Sequence, residues 1–392
     1  MKLFEKQPIN TGRQVEADYA KTVCIIGMVI VHAFEELAYC FPAAGTEESA
    51  FSYIVVVVLD ALFGAATFMF CMGFGIAYSP KNDPGSLIRR GAKLFLMGYL
   101  LNFLHDVLPD ILNALIIGDS TLLEEEGMIL FLFNDILQFA GLALILFGLL
   151  KKWKLSDIAL AAVALGMSLL ASFVRQFDLA ALLSVRNDIL YMLINQFGGL
   201  FFGVVYRFDM SMETNCFPLF HWFVFVVAGY LFAKALRRCT CKGRFYGIFS
   251  SCSIAIVTVY AAFTIPNQIG MMSDDLNLFY HMTTPEALVC CCAAVSALGM
   301  YYALSRLLPQ AVSNFAVRIS RNLTTIYIIH WILIGFTVMG IWTLEQLKGN
   351  DPSELMVGTG LTFAYALVIL VSAIGLTELI KKRRKKEVVT KC

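Results

Sequence analysis

The residues of this sequence best placed to do chemistry are ionisable side chains set inside apolar stretches. The first stretch runs Asp18-Tyr-Ala-Lys21 through His32-Ala-Phe-Glu35-Glu36. On a helix turning about 100° per residue, Lys21 and His32 lie within about 20° of each other, and Asp18 lies within about 40° of His32. One stripe therefore carries a carboxylate, an ammonium, an imidazole and then Glu35 or Glu36. His32 lies about 16 Å further along the axis than Lys21. An imidazole is suited to proton transfer near neutral pH, and ionisable groups inside a membrane span are costly enough to mark a functional path. The bland alternative is an interfacial Asp–Lys anchor with a hydrogen-bonded His contact. A lone histidine would favour that alternative, and the alignment of the stripe brings the functional reading level with it.

Two further groups stand out. Ser86-Leu-Ile-Arg89-Arg90-Gly-Ala-Lys93 places three cations at the start of an apolar helix, where backbone N–H groups also favour anions. Such a cluster suits a phosphorylated ligand, with arginine supplying bidentate contacts, although positive charge against lipid headgroups would look the same. Ser320-Arg-Asn322-Leu-Thr-Thr-Ile-Tyr327-Ile-Ile-His330-Trp331 puts Tyr327 and His330 on one helix face, deep enough that an unpaired imidazole would be costly.

The elements that must position these residues are membrane helices. Of the 392 residues, 59% are hydrophobic and 15% charged, and the mean hydropathy is +0.73, as in a polytopic membrane protein. A net charge of +1 argues against nucleic acid as a partner. Spanning-length apolar segments lie at 17–39, 52–78, 87–104, 128–150, 157–174, 217–236, 245–265, 286–308, 322–344 and 355–380. The stretch 188–206 is ambiguous. Basic connections around Arg13, Arg89-Arg90, Lys151-Lys152, Arg237-Arg238 and Arg306 to Arg321 alternate with acidic ones at Glu47-Glu48, Glu124 to Glu126 and Asp274-Asp275. Because Lys and Arg stay cytoplasmic, the alternation is regular only if 188–206 does not cross. The expected fold is an all-α helix bundle with about ten spans, or eleven if 188–206 spans. Both termini are cytoplasmic, and 175–210 is a re-entrant or interfacial insert. Residues 1–16 form the N-terminal arm and 381–392 a basic tail. No loop is long enough for a separate domain, so 1–392 reads as one unit, and the first span is expected to be retained.

In this topology His32, Glu35, Glu36, Asp60, Asn102, His105, Asp106, Asn134, Asp135 and Gln138 share one outer layer, which suits a polar cavity. Individual members, Asp60 above all, could instead bind helix to helix. The eleven cysteines show no metal-ligand spacing, and those inside spans read as apolar fillers. No metal or bound cofactor is expected. The absence of a visible internal repeat tells mildly against a transporter.

Asp18, Lys21 and His32, followed much later by Tyr327 and His330, resemble the acyltransferase-3 family of integral membrane acyltransferases. Their first span reads Asp-x-x-Arg-(x)10-His, and a late span carries Tyr-x-x-His. Phe217-Pro218-Leu-Phe-His221-Trp222 and the Arg89-Arg90 segment also resemble the heparan-α-glucosaminide N-acetyltransferase branch. The resemblance implies acyl transfer, most economically of acetyl, from cytoplasmic acyl-CoA to a hydroxyl or amine of a glycan, lipid or other cell-surface acceptor. It makes His32 the catalytic histidine, Arg89 and Arg90 the donor-binding pair and His330 a member of the cavity; beside it, the neighbouring carboxylates Glu35, Asp135 or Asp60 are expected to hold the tautomer of His32. Lys93 and Lys21 would join Arg89 and Arg90 at the donor, and Asp18, Asp60, Asn102, Asn134 and Tyr327 would line the cavity with His330. Lys21 departs from the family's Arg, keeping the charge without the bidentate fork. The expected location is the bacterial cytoplasmic membrane. A transporter or flippase of a polar lipid or glycan is the alternative.

Overall fold

A computed structural model describes residues 3–40, 64–175, 188–203, 216–267, 269–272 and 279–390. The described residues form 14 helices, and their one β pairing is an isolated bridge between Phe4 and Cys239. Eight helical runs among them are long and apolar enough to cross a membrane. The protein is an all-α polytopic bundle. Its outward faces are apolar, as at Val259 and Val371, because lipid rather than water is the solvent there.

Two of the ten expected spans do not appear among these runs. Segment 52–78 falls partly outside the described residues, and its remainder is the 14-residue helix α2, Ala65–Tyr78, which follows α1, Val15–Cys40. Segment 128–150 is corrected to two helices, α5 (Thr121–Leu132) and α6 (Ile136–Lys152), broken at Phe133-Asn134-Asp135. The break has a local cause. Asp135 caps α6 in a capping box with Gln138, whose Oε1 accepts from the Asp135 N–H at 3.2 Å. The third expected span, 87–104, continues from α3 (Pro84–Asn102) through a π-helical turn, Phe103–Val107, into α4 (Leu108–Ile117). The ambiguous stretch contains α8, Asp188–Phe202. Asp60, Glu47-Glu48, Asp274-Asp275 and the flanks of α8 at 176–187 and 204–215 lie outside the described residues.

The chain divides into two compact units, neither continuous in sequence. The first comprises Met1–Ala20, Ala61–Leu100 and Leu132–Leu307. Here α2 and α9 (Leu219–Arg238) meet backbone to backbone: a Cβ on Gly73 would lie 1.8 Å from the Val226 carbonyl oxygen, and one on Gly229 lies 1.9 Å from that of Phe70. Small residues permit such approach where lipid offers no hydrophobic drive between helices. The N-terminal arm caps the end of α9, with Glu5 donating to the Arg238 carbonyl, and Ile9 and Asn10 to that of Arg237. Most of α3, with α6, α7 (Asp157–Val174), α8, α10 (Lys242–Thr264) and α11 (Thr284–Leu307), also lies in this unit.

The second unit comprises Lys21–Asp60, Leu101–Phe131 and Leu308–Cys392. Its core packs Val29, Ala33 and Leu37 of α1 against Ile334 and Val338 of α13 (Leu323–Leu347), and Ala366 and Ile369 of α14 (Thr359–Thr390). The spacing of four on α1 and α13 puts each set on one helix face. Helix α12 (Gln310–Ser320) joins α1 through the Thr22 hydroxyl, which donates to the Ala316 carbonyl at 3.0 Å.

Candidate active site

The second unit brings together two histidines 298 residues apart in sequence. His32 Nδ1 on α1 lies 3.0 Å from His330 Nε2 on α13. His330 is fully buried and His32 half-buried, so His32 is the more accessible of the pair. His330 Nδ1 lies 3.3 Å from the carbonyl oxygen of Ile326, one turn back on its own helix. A carbonyl only accepts, so this contact assigns the proton to His330 Nδ1. His330 Nε2 is then an acceptor, and His32 must donate from Nδ1. The lone pair of His32 is thereby left on Nε2, the arrangement a general base needs.

Aromatic rings fix the pair. Trp331 stacks on His32 with ring centroids 4.3 Å apart and planes at 23°, and Tyr327, itself buried, meets His330 edge-on at 5.1 Å. His105 packs edge-on against Trp331 at 4.5 Å, with its Nδ1 2.5 Å from the Asp106 carboxylate. Both residues belong to the π turn, whose wider coil carries its side chains to positions an α-helical turn would not reach. Gly335 of α13 allows the approach, since a Cβ there would lie 2.0 Å from the His105 carbonyl oxygen.

The remaining sequence candidates take other places. Asp135 stands in the capping box of α6, in the first unit, and the described partner of His32 Nδ1 is His330 rather than a carboxylate. Glu35 is half-buried on α1. Asp18 is held by Arg13 in a bidentate pair, Nε to Oδ2 and Nη2 to Oδ1 each at 2.7 Å, which turns it to the N-terminal arm. Lys21 is half-buried, whereas Arg89, Arg90 and Lys93 are exposed on α3 with no ion pair among the described residues. Asn102 donates to the Phe131 carbonyl at 3.0 Å, and Asn134 accepts from the Tyr99 hydroxyl at 2.9 Å. These asparagines tie down the chain on either side of the α5–α6 break.

Residues 14–377 match the family model for the acyltransferase domain, acyltransferase 3. The chain belongs to the acyltransferase-3 family. Comparison with curated proteins and with solved structures found no match. As an acyltransferase-3 protein with membrane-spanning helices, it is a membrane acyltransferase. The match does not distinguish the heparan-α-glucosaminide N-acetyltransferase branch. Within this acyltransferase the sequence reading gave Trp331 and Gly335 no role at the site, whereas it set His105 and Asp106 in one polar layer with His32. The adjacency of His330 and Trp331 was a visible signal. A π turn and a glycine facing it leave none.

Proposed function

We propose that the protein moves an acyl group, acetyl in the simplest case, from cytoplasmic acyl-CoA to a hydroxyl or amine of a glycan, lipid or other acceptor at the outer face of a bacterial cytoplasmic membrane. The observation that carries this reading is the His32–His330 contact, which fixes the tautomer of a half-buried imidazole inside an acyltransferase-3 chain. His32 Nε2 takes the proton as the acceptor oxygen or nitrogen attacks the thioester carbonyl. Collapse of the tetrahedral intermediate breaks the C–S bond, and the His32 imidazolium returns the proton to the departing thiolate. His330 holds the tautomer and stabilises the imidazolium through its Nε2 lone pair. The exposed guanidinium groups of Arg89 and Arg90, with Lys93, would meet the donor's phosphates. The roughly 16 Å along α1 from Lys21 to His32 is of the order of an extended pantetheine arm.

The test is transfer of labelled acetyl from acetyl-CoA to acceptors in membranes carrying the protein. His32→Ala is expected to abolish turnover while the purified protein keeps its melting temperature. Arg89→Gln is expected to raise the KM for acetyl-CoA about tenfold or more, with kcat retained at saturation, since a charge-assisted contact contributes about 1.5–3 kcal/mol. Undiminished transfer by His32→Ala would sink the assignment.

A further inference from the structure

A tetrahedral intermediate formed beside His32 carries a negative oxygen, and a site that lowers the barrier needs a donor for it. Backbone N–H groups within the α1 and α13 helices around the histidines are occupied by helical hydrogen bonds, so a side chain has to serve. His330 has its Nδ1 committed to the Ile326 carbonyl, and His32 has its Nδ1 committed to His330.

Trp331 differs from these neighbours. Its indole Nε1 is buried and has no hydrogen-bond acceptor among the described residues. Leaving a buried donor unmade costs about 1–3 kcal/mol, and such a cost inside a polar cluster calls for an explanation. The ring is locked in place, stacked on His32 at 4.3 Å on its face and met by His105 at 4.5 Å and 72°. Stacking at 23° holds the indole directly against the imidazole of the base, so the unused donor is carried by a residue in contact with His32.

We propose that Trp331 is a catalytic residue whose indole N–H donates to the thioester carbonyl oxygen and holds the oxyanion of the tetrahedral intermediate. This rests on the acyl-transfer reading above. The proton of the indole is not transferred: it strengthens its hydrogen bond as the C=O becomes C–O⁻ and relaxes as the C–S bond breaks. A preorganised donor of this kind does not need to reorient during the reaction. Tryptophan supplies it without the desolvation cost of a cation.

The decisive substitution is Trp331→3-benzothienylalanine, which keeps the bicyclic shape and the stack on His32 and replaces only the N–H by sulfur. Trp331→Phe is the encoded companion. With acetyl-CoA as the probe, kcat is expected to fall about 10²–10³-fold in the benzothienyl variant, the loss typical of one oxyanion donor, with the KM for acetyl-CoA within about threefold of wild type. A role in packing alone predicts wild-type kcat for the benzothienyl variant, because its shape is unchanged. That result would overturn the proposal. His32→Ala is measured alongside: if it is inactive while the benzothienyl variant is fully active, only the oxyanion assignment fails. If His32→Ala is active, the acyl-transfer reading fails first.

Discussion

Gly335→Ala is the smallest change that should disable this protein without touching a titratable group. A Cβ at Gly335 would lie 2.0 Å from the His105 carbonyl oxygen and 2.9 Å from both its carbonyl carbon and its ring Cδ2. Non-bonded heavy atoms settle at about 3.5 Å or more, so α13 and the π turn have to separate by about 1.5 Å at this point. Neither side yields cheaply, since the obstacle is backbone. Overpacking of this kind costs about 1–3 kcal/mol, enough to lower the melting temperature of the solubilised protein by a few degrees. The larger effect falls on the rate. Trp331 lies four residues before Gly335, one turn away on the same face, and His105 packs on it. A displacement of about 1 Å in a catalytic arrangement can cost about 100-fold. The assay is acetyl transfer from acetyl-CoA, read with the melting temperature, for Gly335→Ala beside Gly340→Ala. The latter lies on the same helix, where a Cβ meets nothing within 4 Å. Wild-type kcat in Gly335→Ala, or equal losses in the two variants, would refute the claim that the π turn seats the site.

The other predictions concern the tautomer and a helix start. His330→Ala removes the acceptor for His32 Nδ1–H and is expected to lower kcat about 10²–10⁴-fold with little change in the KM for acetyl-CoA; His330→Gln, which retains an acceptor, should recover part of that loss. Asp83 accepts from the Ser86 N–H at 2.9 Å at the start of α3, and hydrogen bonds from Ser86 hold its carboxyl below the usual aspartate range. A carboxyl depressed in the folded state stabilises at pH values above its unfolded pKa of about 3.9 and loses that contribution as pH falls through the lower folded value. Hydrogen exchange of the Ser86 amide, corrected for its intrinsic rate, should therefore quicken at acid pH in the wild type and show no such step in Asp83→Ala.

The apolar segments were legible because a span needs a run of about 20 apolar residues, and length with composition is enough to find it. His32 and His330 were legible for the converse reason, that each is an imidazole where lipid would exclude one. Their meeting was not, since nothing in the sequence ties positions 298 residues apart. The α5–α6 break was misread because hydropathy averages across Asn134-Asp135, although Asp135-Ile-Leu-Gln138 carried the spacing of a capping box. The pairing of Asp18 with Arg13 was not legible either, because it depends on how the preceding arm folds back. The π turn at Phe103–Val107 had no signature at all, because it depends on what α13 presents to it.

That turn also has a bearing on how such a site arises. A π turn is an α-helix with one residue too many, so a single deleted codon between 103 and 107 would close it into regular helix. The residues from Leu108 onward would keep their phase on the helix, because the widened turn already absorbs the extra residue. Asn113, which donates at 2.8 Å to both Thr343 and Gln346 of α13, would keep its partners. A residue gained or lost within this turn thus reshapes the corner at His105 and Asp106 while leaving the packing of α4 on α13 in place.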